Sequence, residues 1–427
     1  MKSSFYKIII TSIFTLIVSF THSQKVNWTT DATQVCNDGT SQDPSSLTTF
    51  KGNIYYVYIN TQRQFVVAKK SAKGLETSVA FDLEMKPDER WHICPTIGVD
   101  KKGYIHIAGD MHNDTWKYFR SNKPEDITSW TRRNDLPGRS VTYPSFFYDN
   151  ERELFIGFRQ RGADGLGDHR AGIIYYDTKT DKFEMLGGVS YQDDSRITKT
   201  MFWGNGFGSD DCWYSKPGLR IYFDGKNRMH VAAIVYNICI NKPDLVWGNH
   251  THILYAYSDD KGKTWHKAGG DLIKSLPLTV DNASIAVNRT TEHDIVGGSI
   301  ELGAFSPEKP VLIYQTMTDK RTHTVTWKDN AWIELKMPHI SAKSLVCRPN
   351  GYIALYNGNF LDYTADGVNW KTLTGSIDFP AGVFGMQGGV DLEYFKETGN
   401  FRYHGKFENF TKSSIFTINS EIGEKNK

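Results

Sequence analysis

The sequence predicts an all-β protein, and three observations lead to that prediction. Aromatic residues make up 13% of the 427-residue chain, which also has 37 glycines, a composition typical of strands and turns. Short strands joined by tight turns recur in units of about 50 residues. No amphipathic helical pattern is long enough to compete. Dividing roughly 400 residues by about 50 gives about seven or eight units, so we predict a seven-bladed β-propeller.

The first 23 residues predict a secretory signal peptide. Lys2 and Lys7 give it a basic start, residues 8–20 form an apolar core, and Ser23 marks a plausible cleavage site. The apolar core is short for a membrane span, which needs about 20 residues, and no later stretch is apolar enough. We therefore expect a protein without a membrane span, secreted or periplasmic, with a single propeller domain over residues 24–427.

The strands are predicted from alternating apolar residues between turn signals. Polar lead-in residues after the signal peptide are followed by strands at Asn53–Asn60 and Arg63–Lys69. The repeat is then clear, with first strands near 95–99, 143–149 and 216–224, second strands near 104–109, 154–158 and 228–236, third strands at 116–120, 172–177 and 253–258, and a weaker copy at 348–356. Stacked β-sandwiches are the alternative fold, but they predict less uniform spacing.

A turn motif agrees with the propeller. The run Ser258-Asp-Asp260-Lys-Gly262-Lys-Thr-Trp265 matches the Asp-box pattern S-x-D-x-G-x-x-W, and residues 364–370 form a degenerate copy. In such a turn the acidic side chain binds backbone amides and the tryptophan packs between sheets. The motif therefore indicates the fold and carries no catalytic information.

Charge and cysteine content limit the classes of function. The chain has 50 Lys and Arg against 48 Asp and Glu, so no overall field favours nucleic acid, and an anionic substrate would need a local basic site. Five cysteines are an odd, sparse set for an exported chain and do not predict a disulfide framework. We expect a monomer that binds an anionic polysaccharide.

Reactive side chains are predicted to meet at one edge of the strands. In an antiparallel meander the start of a first strand and the end of the second lie at the same edge. His92 precedes a first strand and His112 follows the second, while Tyr143 and Arg159 hold comparable positions in the next unit, with Arg161 close by. His106 and His230 instead lie inside second strands, where we predict a structural role.

This residue set suits β-elimination from a uronic acid. A base removes the C5 proton once a positive side chain neutralises the adjacent carboxylate, and an acid protonates the departing O4. Taken singly, His92 or His112 would be a surface loop residue, Tyr143 a packed strand-entry aromatic and Arg159 an ion-pair partner. Together on one edge, they favour a functional site.

Several runs of residues resemble the BNR-repeat polysaccharide lyases of the ulvan lyase type. The resemblance is densest between Trp91 and Trp265 and rests on His92…Asp-Met-His112-Asn, Thr142-Tyr143-Pro144, Phe158-Arg159-Gln-Arg-Gly and Gly218-Leu-Arg-Ile-Tyr-Phe-Asp. It implies a seven-bladed propeller that cleaves sulfated rhamnose–uronate polymers by β-elimination.

The resemblance also implies roles for individual residues. His92 and Tyr143 would transfer protons, Tyr143 in syn elimination and His92 on the opposite uronate epimer. Arg159, helped by His112, would neutralise the carboxylate. Asn113, Arg161 and Tyr236 are further predicted contacts to sugar or sulfate; Tyr236 follows His230 by the interval that separates His112 from His106.

A second group of residues predicts a structural zinc ion. Cys212 precedes a first strand, Cys239 follows a second, and His250 and His252 precede a third, so all four are expected at one edge. Two thiolates and two imidazoles suit tetrahedral zinc, which would hold the loop Asn237–Asn249 in place. If only three of these residues bind the zinc ion, we expect His250 to be the one that does not. The alternative is two free or disulfide-bonded cysteines beside two polar loop histidines.

Two other functions remain possible from the sequence. A sialidase-type glycoside hydrolase shares Asp boxes, but it requires an arginine triad and a Tyr–Glu pair, and no Arg-Ile-Pro motif stands near the start. A non-catalytic carbohydrate-binding propeller would present aromatic platforms without the His, Tyr and Arg set.

Overall fold

The structure, a computed structural model, is described for most of the chain between residues 28 and 420. The described residues are 28–36, 39–40, 46–84, 92–161, 169–189, 199–203, 213–215, 219–237, 250–337, 342–348, 351–356, 360–364, 366–373, 383–387, 390–407 and 413–420. Within these ranges nearly every regular element is a β-strand, so the predicted all-β class is confirmed. None of the helical structure in them is long and apolar enough to cross a membrane.

The strands in chain order have the following bounds: β1 Trp28–Cys36, β2 Gly39–Thr40, β3 Leu47–Phe50, β4 Asn53–Asn60, β5 Gln64–Ser71, β6 Gly74–Asp82, β7 Thr96–Val99, β8 Ile105–Ala108, β9 His112–Asp114, β10 Tyr118–Ser121, β11 Trp130–Arg132, β12 Val141–Tyr148, β13 Leu154–Arg161, β14 His169–Asp177, β15 Lys182–Leu186, β16 Gly188–Val189, β17 Lys199–Thr200, β18 Trp213–Ser215, β19 Arg220–Phe223, β20 Met229–Asn237, β21 His250–Ser258, β22 Trp265–His266, β23 Leu272–Ile273, β24 Ser284–Asn288, β25 Glu301–Ala304, β26 Pro310–Gln315, β27 Thr322–Lys328, β28 Ala331–Lys336, β29 Ala342–Arg348, β30 Gly351–Tyr356, β31 Phe360–Thr364, β32 Lys371–Leu373, β33 Val383–Gln387, β34 Phe401–Phe407 and β35 Ser413–Ser420. Helix α1 spans Leu392–Thr398. Its N-cap is Asp391, whose side chain accepts a hydrogen bond from the Tyr394 amide.

Neighbouring strands pair antiparallel, and most of the described sheets are local in sequence. The largest has twelve strands, β9, β12–β15 and β18–β24, and contains one parallel contact, between β14 and β18. Strands β7, β8, β10 and β11 form one four-stranded sheet, and β25–β28 and β29–β32 form two others. Strand β1 pairs antiparallel with β35, from Trp28 opposite Ser420 onward. The beginning and end of the described chain therefore share one sheet with β33 and β34.

The predicted strand positions agree closely with the structure. Strand β4 has the predicted bounds, and other predicted strands shift by a few residues; β21, for example, starts at His250 instead of Ile253. Strand β9 was not predicted, because residues 112–114 were expected to lie between the second strand and the third. It is only three residues long and pairs with β12 of the next sheet, so local alternation gives no sign of it.

Both Asp-box turns form as predicted. Asp260 Oδ1 accepts hydrogen bonds from the backbone amides of Lys263 and Thr264, and Trp265 is buried. Burial acts to raise the pKa of Asp260, but the hydrogen bonds from Thr264 outweigh it and hold the pKa below its usual value. In the degenerate copy, Asp366 accepts from the amides of Val368 and Asn369.

His106 and His230 each lie in a buried Asp–His–Tyr group at equivalent repeat positions. The Nε2 atom of His106 is 3.3 Å from Asp100 Oδ2, and its Nδ1 atom is 2.6 Å from Tyr118 Oη. His230 has the same distances, 3.3 Å and 2.6 Å, to its partners Asp224 and Tyr255. The structural role predicted for both histidines fits these contacts, because each side chain is fully buried and joins a turn to two strands.

We expect these two groups to make stability depend on pH. Burial lowers the pKa of His106 and His230 despite their carboxylate neighbours. The unfolded chain, with histidine pKa values near 6.5, then binds protons first as the pH falls. The free energy of unfolding is therefore unaffected by these histidines above about pH 6.5. Below that pH it decreases, by up to about 1.4 kcal/mol per pH unit for each histidine.

Urea unfolding above and below about pH 6.5 measures this effect. The His106→Gln variant should be less stable at both pH values, and its difference between them should be smaller than that of the unmodified protein. An unchanged pH difference in the variant would contradict the account.

Candidate active site

Two histidine rings form the centre of the candidate site. His92 lies just before β7 and His112 opens β9. Their ring centroids are 3.6 Å apart with an angle of 5° between the planes, so the imidazoles are stacked. The backbone amide of Asp110 donates to the Ile93 carbonyl at 2.6 Å, which ties together the two segments that carry the histidines. The predicted meeting of His92 and His112 is confirmed.

The site lies where one sheet meets the next. Strand β9 follows β8 in the chain, but it pairs with β12, with His112 opposite Thr142. Thr142 is also opposite Arg159 of β13, and the register shifts between Thr142 and Ser145. Tyr143 lies within this irregularity. The backbone of β12 therefore runs between the strand that carries His112 and the strand that carries Arg159.

Left-handed backbone conformations are concentrated around the site. The φ angles are 41° at Cys94, 61° at Asp110, 55° at Asn113 and 58° at Tyr143, although none of these residues is glycine. Such conformations carry a cost of order 1 kcal/mol each and persist only where the surrounding contacts enforce them. Asn113 and Tyr143 are predicted site residues, and Cys94 and Asp110 each lie two residues along the chain from a histidine of the site.

Tyr143 and Arg159 complete the cluster. The Tyr143 ring centroid is 5.5 Å from that of His92, and the Arg159 Cζ atom lies 4.7 Å from the Tyr143 ring centroid. Arg159 is only 4% exposed, and its Nη2 atom donates to Asn113 Oδ1 at 3.2 Å and to Thr142 Oγ1 at 3.1 Å. All four predicted catalytic residues and the predicted contact Asn113 therefore meet in one place.

An ion-pair network centred on a buried lysine lies beside the histidines. Lys117 is 4% exposed, and its Nζ atom lies 3.1 Å from Asp110, 3.2 Å from Glu84 and 3.4 Å from Asp114. Burial acts to lower the pKa of Lys117, but the carboxylates outweigh it and hold the pKa above its usual value. This network was not predicted, because its only local sign in the sequence is a lysine between two aromatic residues of a predicted strand.

The other predicted contacts are less fully described. Arg161 ends β13, and its backbone is opposite His169; Tyr236 lies in β20 opposite His250. The side chains of Arg161 and Tyr236 lie outside the described part of the structure.

Two of the four predicted zinc ligands are described. His250 and His252 are buried on β21, with His250 Nδ1 2.9 Å from the Ile295 carbonyl and His252 Nδ1 2.9 Å from Thr251 Oγ1. Burial, with the nearby His293, lowers the pKa of His252 to about 4, so its imidazole is neutral near pH 7. Cys212 and Cys239 lie outside the described residues. Within the described ranges no three His, Cys, Asp or Glu side chains form a group that could hold a metal.

These features define an all-β protein with a His, Tyr and Arg site between two sheets, and comparison with known proteins gives its family. Residues 53–339, which are more than half of the chain, match the BNR repeat-containing family. The protein belongs to that family. No curated protein matches the sequence.

Solved structures with a similar fold include two polysaccharide lyases. The polysaccharide lyase Uly1 has a TM-score of 0.68 at 14% identity, covering 92% of this chain and 99% of that chain. A PL25 ulvan lyase bound to -[GlcA(1-4)Rha3S]- has a TM-score of 0.63 at 14% identity, covering 90% and 94%. The predicted resemblance to BNR-repeat lyases of the ulvan lyase type is confirmed, and at this identity it establishes the shared fold.

Proposed function

We propose that the protein is an exported polysaccharide lyase that cleaves a sulfated, uronate-containing polysaccharide, ulvan, by β-elimination. The observation that carries the proposal is the contact of His92, His112, Tyr143 and Arg159 in one cluster. The likeness in fold to an ulvan lyase supports ulvan as the substrate. The proposal includes removal of the signal peptide, residues 1–23.

The reaction needs one base, one acid and one fixed positive charge. The base takes the C5 proton of the uronate, the C5–H electrons form the C4=C5 double bond, and the C4–O4 bond breaks. The departing O4 takes up a proton from the acid. No water is consumed, and one product carries an unsaturated uronyl end.

Arg159 suits the fixed charge. Its guanidinium is poorly solvated and held by Thr142 and Asn113, so its position is set before substrate arrives. A charge in such a place stabilises a developing carbanion more than a charge in water would. His112 is stacked on His92 at the same site and assists by binding the carboxylate.

Tyr143 and His92 suit the proton transfers. In syn elimination, Tyr143 acts from one side of the sugar on both the C5 proton and the departing oxygen. The Arg159 guanidinium lies over the Tyr143 ring, with Cζ 4.7 Å from the ring centroid, and its positive charge favours the negative charge that develops on the phenol when the proton moves. His92, whose ring centroid is 5.5 Å from that of Tyr143, serves as the base for the opposite uronate epimer.

We further propose that residues 24–427 form one seven-bladed propeller. Four of the described sheets are four-stranded and antiparallel, and one of them pairs β1 with β35; both features support this arrangement, because a propeller closes when the first and last strands share a blade. The site then lies at the junction of two neighbouring blades.

We also propose a structural zinc ion bound by Cys212, Cys239, His250 and His252. The two histidines are buried neighbours whose Nδ1 atoms are hydrogen-bonded, an arrangement that suits coordination through Nε2. The ion takes no part in the elimination.

Elemental analysis tests the zinc proposal. The Cys212→Ser/Cys239→Ser variant should lose its zinc, because serine hydroxyls bind zinc poorly. The Cys347→Ser variant is the control and should retain it, since Cys347 lies on β29 in a different sheet from His250 and His252. Unchanged zinc in the double variant would exclude these ligands.

Ultraviolet absorbance tests the enzymatic proposal. The mature protein incubated with ulvan should produce the absorbance of a new unsaturated uronyl end. A sialidase-like hydrolase would release reducing ends without this absorbance, and a carbohydrate-binding module would release neither. A panel of other uronate polymers in the same assay defines the substrate range.

A further inference from the structure

We infer that Thr142 is a positioning residue that sets the relative placement of His112, Tyr143 and Arg159. The inference rests on the proposed lyase function and extends it to a residue without a direct chemical role. Thr142 has no exposed surface, so it can influence the reaction only through its neighbours.

The Thr142 hydroxyl makes a complete set of hydrogen bonds at the back of the site. Its Oγ1 atom accepts from the Asn113 backbone amide at 2.8 Å and from Arg159 Nη2 at 3.1 Å. It lies 3.5 Å from Asn113 Oδ1, toward which it can donate. A hydroxyl offers one donor and two acceptor sites, so these contacts use all of its capacity.

The backbone of Thr142 also lies between the residues of the site. It is opposite His112 on one side and Arg159 on the other, and Tyr143 is the next residue. The side chain therefore links β9 to β13 across β12, at the level where those three strands present the proposed catalytic groups.

The strained backbone explains why this hydroxyl matters. Asn113 and Tyr143 both have left-handed conformations, with φ angles of 55° and 58°. The bond from the Asn113 amide to Thr142 Oγ1 holds one of these residues directly. Without the hydroxyl, the Asn113 amide and Arg159 Nη2 each lose an acceptor in a buried place, and relaxation of either one moves the cluster.

Kinetics of Thr142→Val provide the test, because valine keeps the shape and removes the hydroxyl. We expect kcat on ulvan to fall by about 10- to 100-fold, the loss typical of a misplacement of about 1 Å. KM should change much less, since Arg159 acts mainly on charge that develops in the transition state. Thr142→Ser restores the hydroxyl and should restore most of kcat.

Two further variants separate positioning from folding. Thr324→Val is the matched control: Thr324 is 1% exposed, and its hydroxyl has no hydrogen-bond partner among the described residues, so kcat should stay unchanged. Thr142→Cys has a similar size and a weak hydrogen-bonding group, and its kcat should lie below that of Thr142→Ser. If Thr142→Val does not fold, the comparison between the cysteine and serine variants decides the question.

The outcomes are distinct. Wild-type kcat in Thr142→Val, or in Thr142→Cys, would overturn the inference and leave the lyase proposal intact. An equal loss in the serine and valine variants would also overturn it, because the hydroxyl that serine retains would then make no difference to kcat. A wild-type protein without elimination activity would overturn the proposed function and this inference with it.

Discussion

Tyr143→Phe should lower kcat on ulvan by about 10²- to 10⁴-fold while the fold remains intact. The phenol oxygen is the group proposed to move protons, and a positioned acid or base contributes an acceleration of that size. The ring itself remains, so the contacts to His92 and to the Arg159 guanidinium are kept. The measurement is kcat from the absorbance assay, with thermal unfolding to confirm the fold.

Tyr104→Phe is a matched control for this variant. Tyr104 also carries a guanidinium over its ring, that of Arg120 at 4.8 Å, but it lies outside the cluster. Its activity should equal that of the wild type. Full activity in Tyr143→Phe would remove Tyr143 from the mechanism.

Arg159→Met should lower kcat by about 10²- to 10³-fold, the cost typical of removing one preorganised group that stabilises charge in the transition state. Methionine fills a similar volume without charge, so the uronate carboxylate would no longer be neutralised while the C5 proton leaves. The variant should also lose about 1–3 kcal/mol of stability, because Asn113 Oδ1 and Thr142 Oγ1 lose a donor.

Arg120→Met separates the two effects of the arginine substitution. Arg120 donates to Tyr176 and Asp181, so its removal should reduce stability without a comparable loss of kcat. Steady-state kinetics and urea unfolding of both variants measure the difference. If the two variants lose kcat equally, the loss reflects general destabilisation and not the charge of Arg159.

The position of the site could be predicted from the sequence because the strands are local and regular. Short antiparallel hairpins bring the start of a first strand and the end of a second to one edge, so His92 and His112 were expected to meet. Tyr143 and Arg159 were placed by the same repeat in the next unit. The Asp boxes and the buried His106 and His230 were also recognisable by their positions in the repeat.

The features that the sequence did not reveal depend on contacts between sheets. Strand β9 forms because His112 and Asp114 pair with β12, although β8, the strand before it in the chain, belongs to another sheet. The left-handed backbone at Tyr143 follows from the irregular register of β12, and the network around Lys117 joins residues from 84 to 117. In the sequence Thr142 is only one member of the run Thr142-Tyr143-Pro144. Its inferred role depends on the pairing of β9, β12 and β13.

The central claim is that the cluster of His92, His112, Tyr143 and Arg159 breaks the polymer by elimination, and the masses of the products test it most directly. Elimination adds no water, so the product with the unsaturated end should be lighter by one water than the corresponding hydrolysis product. In water labelled in its oxygen atom, no labelled oxygen should enter the products at the moment of cleavage. Products with the mass of hydrolysis and label at the cleaved bond would contradict the account.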